Sequence, residues 1–389
     1  MPPSYWLFIA TRRAVFGLPC LFLFLERRGI SAFDVGCCLA ARAAGQFLFE
    51  VPSGVASDRY GRKWTLVFAA VARLVSWILT GFGTTDITFF ISFAVLGVAF
   101  AFDSGTDSAF LFDTLRDRQQ TDRYAHFEAR SHQIGLIATG LATVVGGVMI
   151  PWGYQVPVVA TIIPMVVCVG ATVMLVEPSA VRASDGHDFF AQVKAGLHQV
   201  MTIRALLVCT TLAVCGIGAC EIYFRFTQQY LEGTLRVSAS YFGWIYLVWT
   251  LVSVVASRVG QQSWIGDNPL RTTPGVVAMG GVSLIVLGQS QLWLWLLLGA
   301  TLIPQVMYGI VPTIFRNELN RELPSSVRAT VLSVFGFATS CLVAGGGLLA
   351  GWISEHYSIG VGFIFGGTLL VTIAVWGIVA VRVHDGCKK

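Results

Sequence analysis

The sequence predicts an all-α polytopic membrane protein with twelve transmembrane helices in two sets of six. Three observations lead there. Hydrophobic residues make up 55% of the 389, and charged residues only 12%. A soluble domain carries roughly 25% charged residues, so this chain cannot coat a water-facing surface of its size. Apolar runs of the length that crosses a bilayer recur from end to end. Lys and Arg, finally, fall almost wholly on alternate sides of those runs.

The runs place helices near residues 5–25, 35–57, 64–83, 87–113, 128–150, 155–177, 203–227, 240–257, 273–291, 292–316, 327–351 and 359–382. The start, MPPSYWLF, lacks a basic n-region, so the first run reads as a retained span. The ninth and tenth helices are divided only by the weak turn GQSQLW, Gly288 to Trp293. Residues 178–202 form the longest connection. From Asp188 its spacing puts Phe189, Val193, Leu197 and Val200 on one face, the pattern of an amphipathic helix on a membrane surface. The expected organisation is a bundle over 1–178, a linker over 179–202 and a second bundle over 203–389. An arginine-bearing loop followed by a glycine-containing span occurs after both the fourth and the tenth helix. That echo fits duplicated six-helix halves, a transporter architecture.

Orientation follows from the basic residues. Of 26 Lys and Arg, 17 fall on one side of the spans; only Arg27, Arg28 and Arg236 fall on the other, and six lie within or at the ends of spans. The richer side is expected to be cytoplasmic and to hold both termini, in a plasma membrane or a Gram-negative inner membrane. The same bias accounts for the net charge of +5, which therefore calls for no nucleic-acid partner. Five of the nine cysteines sit in apolar runs, where Cys packs as a small hydrophobe, and no CxxC or CxxH spacing occurs. No metal or other cofactor is expected.

The turn between helices 2 and 3 reads GVASDRYGRK, from Gly54 to Lys63. Gly54 lets a helix end pack closely, and Gly61 permits a tight turn. Asp58 is an acid that charge bias does not call for; it suits a helix N-terminus. This G-x-x-x-D-x-x-G-R-K pattern resembles the signature of the major facilitator superfamily at the same loop. The resemblance spans the chain and implies the fold of that family, a small-molecule substrate, a monomer, and transport by rocking one half against the other. It implies that Asp58 faces the start of helix 11 at PSSVRA, which contains Arg328, and that Arg62 pairs with an acid at the end of helix 4, where Asp113 stands. With Lys63, these residues would form a cytoplasmic gate. The counterpart stretch, SRVGQQSWIGDNPLR, has Trp264 where Asp58 would fall. Helix 4 lacks the Arg, and helix 5 the Pro, of many drug exporters in the family.

A charge in mid-membrane costs about 2.5–3.5 kcal/mol or more, so each needs a reason. Asp103 and Asp107 lie four apart on helix 4, on one helical face. Two carboxylates in low dielectric favour holding a proton; a static pair with Arg12, Arg13 or Arg42 is the plainer reading. Glu221 and Arg225 on helix 7 form either a permanent pair or one that opens during a cycle. Glu50 is a third candidate proton site. Of Arg12 and Arg13, which point 100° apart, one is expected to snorkel and the other to meet an anionic substrate group or a helix 4 acid. Arg12 is expected to share a stripe with Phe16. Arg42 needs a partner, and Arg73 reads as structural. Trp244, Trp249 and Tyr308 are deep aromatics that either line a cavity or pack.

Without a phosphate-cradling Gly-rich loop carrying Lys-Ser or Lys-Thr, ATP drive is not expected. No nucleophile–base set points to an enzyme. The expected function is secondary active transport of a small organic solute, proton-coupled and directed outward. The alternatives are uptake of a sugar, peptide-like or anionic nutrient, and a membrane assembly protein that keeps the fold without transporting.

Overall fold

The computed structural model describes residues 1–179, 200–262, 269–289, 291–323 and 325–387. No strand occurs among them. The helices are α1 (Pro3–Arg13), α2 (Leu21–Arg27), α3 (Ala32–Tyr60), α4 (Arg62–Phe82), α5 (Asp86–Asp103), α6 (Thr106–Asp117), α7 (Tyr124–Met149), α8 (Gln155–Ala160) and α9 (Ile162–Val173). After the linker come α10 (Arg204–Gln229), α11 (Phe242–Gly260), α12 (Pro269–Gly288), α13 (Leu294–Ala300), α14 (Ile303–Glu322), α15 (Ser325–His356) and α16 (Ile359–Cys387). Eleven stretches among the described residues are long and apolar enough to cross a membrane. The first span, split between α1 and α2, makes the twelfth. The linker over 180–199, with its expected amphipathic helix, and Trp264 lie outside the described residues.

Several spans are not the unbroken rods expected. The first opens between Arg13 and Leu21, where Pro19 has no N–H to give. The Gly17 N–H is caught instead by the Thr161 hydroxyl at 3.0 Å. Arg12 and Phe16 therefore do not share a helical stripe, because the helix ends between them. The fourth span breaks at Ser104–Gly105, with Gly105 left-handed at φ 73°, a conformation glycine adopts without strain. Spans 6 and 10 each lose a rung four residues before a proline, Pro164 and Pro304, at Ala160 and Ala300. The turn between Gly288 and Leu294 divides spans 9 and 10 where GQSQLW predicts it.

The chain forms two compact units, one built on spans 1 to 6 and one on spans 7 to 12; Ser31–Gly36 is counted with the second and Ser238–Leu247 with the first. In the first unit α4 packs on α5, α6, α8 and α9, while α1 packs on α7 and α9. Tyr5, Phe8, Leu66, Phe110, Leu115, Phe127 and Leu175 form a core, and the Tyr5 hydroxyl is satisfied by Ser131 Oγ at 3.0 Å. Between α4 and α5, Ser92 joins Ser76 and Thr80 in a buried hydroxyl cluster, the polar bonding that holds helices together in hydrocarbon. Gly97 lies against the Arg42 carbonyl, leaving no room for a Cβ and bringing α3 and α5 into close contact.

In the second unit α12 packs on α16, and α10 packs on α12, α14, α15 and α16. Its middle is aromatic. Tyr223, Phe224, Trp249 and Phe363 meet at ring distances of 5.5 to 6.2 Å.

Candidate functional site

The last turn of α1 carries Arg12, a position where the helix dipole favours a cation. Its guanidinium forks. Nη1 donates to Asp103 Oδ1 at 2.8 Å, and Nη2 donates to Asp107 Oδ2 at 2.6 Å. Asp103 ends α5 and Asp107 lies in the first turn of α6, so Arg12 spans the break at Gly105. Asp107 is well placed there, because a carboxylate suits a helix N-terminus; its Oδ1 accepts the Ser108 N–H at 2.8 Å. Asp103 Oδ2 accepts from Arg73 Nη2 at 2.9 Å. Two cations thus face two anions inside the first unit.

The two aspartates differ. The Asp103 side chain is 13% exposed and grips two arginines; the Asp107 side chain is 25% exposed and has one. The expectation of two carboxylates side by side on one helical face is corrected: the helix is broken between them and Arg12 separates them. Arg73, read from sequence as structural and near enough to a span end to snorkel, is buried and is Asp103's second partner. Arg12 is the arginine that meets the helix 4 acids, while Arg13 is exposed and lies along Gly135. The Arg42 and Arg73 guanidiniums both stand against Phe100, 5.7 and 5.6 Å from the ring centre. Next to Asp107, Ser108 Oγ donates to Glu128 Oε1 at 3.1 Å, bringing a further acid from α7 that the sequence reading passed over.

In the second unit Arg225 Nη2 donates to Glu221 Oε2 at 2.7 Å, and Arg225 also bonds the Glu221 carbonyl. Trp249 is buried and its indole N–H donates to Thr301 Oγ1 at 3.1 Å. Tyr308 stands edge-on to Phe224. Trp244 belongs to the first unit and is 54% exposed. Glu50 is half-buried and makes no ion pair among the described residues.

The α3–α4 turn forms a second charged group. Arg62 reaches Ser57 Oγ at 2.6 Å, Asp58 at 3.3 Å and Asp113 at 3.6 Å; Asp113 also meets Arg116 at 3.2 Å. The Arg62–Asp113 pairing is the one the family resemblance implies. Gly61 has φ 98°, and a Cβ there would meet the Glu177 carboxylate at 2.6 Å. That carboxylate accepts the backbone N–H groups of Arg62 and Lys63 at 2.6 and 2.8 Å, capping α4. Lys63 Nζ lies 5.3 Å from the Trp64 ring centre. Among the described residues nothing lies within 4 Å of a Cβ at Gly54. The Arg328 side chain lies outside the described residues. Glu177 was missed in the sequence, though a signal existed: it is an acid at a span end where the charge pattern favours bases.

Broken apolar spans in two units, with mutually bonded charges inside them, define a polytopic membrane protein of the transporter class. The family model of the Major Facilitator Superfamily matches residues 4–345. The chain belongs to that superfamily. It is 21% identical, over 99% of its length and 97% of the relative's, to the uncharacterized MFS-type transporter YxaM of Bacillus subtilis (strain 168). It is 24% identical to Multidrug resistance protein 2 of the same organism, over 56% of this chain and 54% of that one. Among solved structures it resembles a mutant of the nucleoside transporter NupG, with TM-score 0.81 and 11% identity over 97% and 98% of the two chains. It also resembles a D-xylose–proton symporter, with TM-score 0.74 and 13% identity over 96% and 95%.

Proposed function

We propose that this transporter is a secondary active carrier that moves a small organic solute outward in exchange for protons. Asp107 takes up the proton. The observation that carries the reading is Arg12 bonded to two aspartates across the break in span 4. With Asp107 ionised, Arg12 ties α5 to α6. Protonating Asp107 removes one of its two anions, while Asp103 stays held by Arg12 and Arg73. The glycine at the break then lets α6 move relative to α5 without opening the rest of the cluster. A potential of 100 mV supplies about 2.3 kcal/mol for each charge moved, comparable to the 1–3 kcal/mol or so of a typical coupling between sites. Glu221 and Glu50 are the secondary proton candidates.

The two six-helix bundles, 1–178 and 203–389 with the linker between them, alternate access by rocking. The charge bias supports a plasma-membrane location with both termini in the cytoplasm and the α3–α4 turn on that side. Asp58, Arg62, Lys63, Asp113 and Arg328 then act as the cytoplasmic gate of a monomer. The outward direction draws on the partial likeness to Multidrug resistance protein 2. Arg12, Arg73 and Arg225 each face an acid, which speaks against an anionic solute and so against anion uptake. Phe224, Trp249 and Tyr308 favour a solute with an apolar or aromatic part.

A solute screen in proteoliposomes with an imposed pH gradient tests the reading. Uphill flux that stops when the gradient is collapsed is expected. Flux indifferent to the gradient would overturn proton coupling. No flux for any solute class would favour the assembly-protein alternative.

A further inference from the structure

Two arginines and two rings form one group at the end of the first unit that carries the Gly61 turn. The Arg130 guanidinium stands 5.1 Å from the centre of the Trp6 ring. Trp6 stacks on Phe127 at 6.0 Å, and the Arg123 guanidinium stands 5.2 Å from the centre of the Phe127 ring. Arg62 meets Asp113 near the end of α6, and α7 starts just beyond that end, so Arg123 and Arg130 lie on the side of the α3–α4 turn.

Neither arginine has an acid for a partner: among the described residues Arg123 and Arg130 form no ion pair. The neighbouring acids are engaged elsewhere or stand apart. Glu128 lies on the opposite face of α7 and accepts the Ser108 hydroxyl at 3.1 Å, while Asp117 accepts the Ser179 N–H at 2.6 Å. A guanidinium resting on a ring still offers N–H donors at its edge, in the geometry that suits phosphate.

A cavity of about 290 Å³ opens at Arg130. His126, Ala129, Arg130 and Gln133 line it, and no acid does. These residues follow one another along a single face of α7. The volume is below the roughly 300–1,000 Å³ that buries a drug-sized molecule, so the cavity suits the end of a longer molecule and not a whole solute. The same face continues as Ile137, Leu141, Val145 and Val148, all exposed and all apolar. From Ile137 to Val148 the helix rises about 16 Å at 1.5 Å per residue. That is close to half of the roughly 30 Å hydrocarbon core, the depth of one leaflet.

We propose that this face of α7 is a binding site for one anionic glycerophospholipid. Arg130 and Gln133 donate to its phosphate, with His126 beside them and Arg123 adding positive charge from the neighbouring ring. One acyl chain lies along Ile137, Leu141 and Val145. A net negative headgroup is called for because two guanidiniums stand there without a counter-charge. A chain is called for because the face beyond the cavity is apolar and open. Trp6 sits at the junction, as tryptophan does at membrane interfaces.

Native mass spectrometry of the detergent-purified chain, titrated with phosphatidylglycerol or phosphatidylcholine of the same acyl chains, tests this. At least fivefold stronger retention of phosphatidylglycerol is expected, falling to parity in the Arg123→Gln/Arg130→Gln variant. Equal retention of both lipids by the unaltered chain, or an undiminished preference in the variant, overturns the proposal. Should that variant fail to fold, photolabelling by phosphatidylglycerol with a diazirine in its acyl chain decides with both arginines intact. Label is expected on α7 between Gln133 and Met149, suppressed by excess unlabelled phosphatidylglycerol and not by phosphatidylcholine. An unlabelled α7, or suppression by both lipids alike, overturns the site. Glycerol phosphate is expected not to displace the lipid. Displacement at millimolar concentration would mean that a small anion, not a lipid, is the ligand.

Discussion

Arg12 bonds Asp107 at 2.6 Å from a helix that ends one residue later, while Asp107 begins a helix of its own. The pair joins two helix ends of opposite dipole, so each charge sits where its backbone favours it. Asp107 is also the more exposed of Arg12's two anions. Asp107→Asn keeps the shape and a hydrogen-bonding oxygen but cannot take up a proton. Gradient-driven flux in proteoliposomes is expected to fall at least tenfold, with expression and thermal stability near those of the unaltered chain. Unchanged flux would remove Asp107 as the coupling group.

Arg73 is a different kind of residue. It is buried, and its partner Asp103 is shared with Arg12. Removing one member of a buried pair costs about 3–5 kcal/mol because the other charge is left uncompensated. Here Arg12 remains beside Asp103, so Arg73→Met is expected to cost less, about 2 kcal/mol, within the range of large single-site effects. Adding Asp103→Asn to Arg73→Met should cost less than the sum of the two separately. Thermal unfolding of the four proteins in detergent measures the coupling. Strict additivity would show that the two side chains do not interact.

These two residues also mark how far the sequence could be read. Composition and charge bias decide the twelve spans because the bilayer admits few alternatives: a spanning segment must be apolar and must satisfy its own backbone. The Gly61 turn was legible because a glycine beside two bases punctuates an apolar chain. The breaks were less so. Gly105 looks like one more glycine in a glycine-rich protein, and only its φ of 73° marks the end of α5. Drawn as one helix, span 4 puts Asp103 and Asp107 side by side; broken, it admits Arg12 between them. Partners on other spans are invisible to spacing. Arg73 and Asp103 are thirty residues apart and meet only because α4 packs on α5.

Glu177 and Gly61 depend on one another. The carboxylate bonds both leading N–H groups of α4, and it can approach because Gly61 has no side chain. Gly61→Ala adds a left-handed alanine and a clash with that carboxylate. Glu177→Gln keeps the size but loses the charge; losing a helix cap costs about 0.5–2 kcal/mol. Gly61→Ala is expected to be the more damaging of the two, lowering both thermal stability and flux, whereas Glu177→Gln lowers stability by a few degrees. If Gly61→Ala matched the unaltered chain in both measurements, the tight turn would have no part in the fold.

The last test concerns Asp58. Within the first unit it meets Arg62 only at 3.3 Å and stays 53% exposed, while Arg62 has Ser57 and Asp113 as further partners. An acid so loosely held by its own unit adds little to that unit's stability, since exposed ion pairs contribute about 0–1 kcal/mol. Asp58→Asn should therefore leave the melting temperature almost unchanged. If the residue belongs to a gate, the substitution acts on the balance between open and closed states. Labelling of single cysteines placed along the half of α6 nearer Asp117 is expected to rise severalfold from the side of the α3–α4 turn. Asp113→Asn should move labelling the same way with a clear loss of stability, because that carboxylate is buried and faces both Arg62 and Arg116. A fall in stability with no change in labelling for both variants would assign the turn to folding alone.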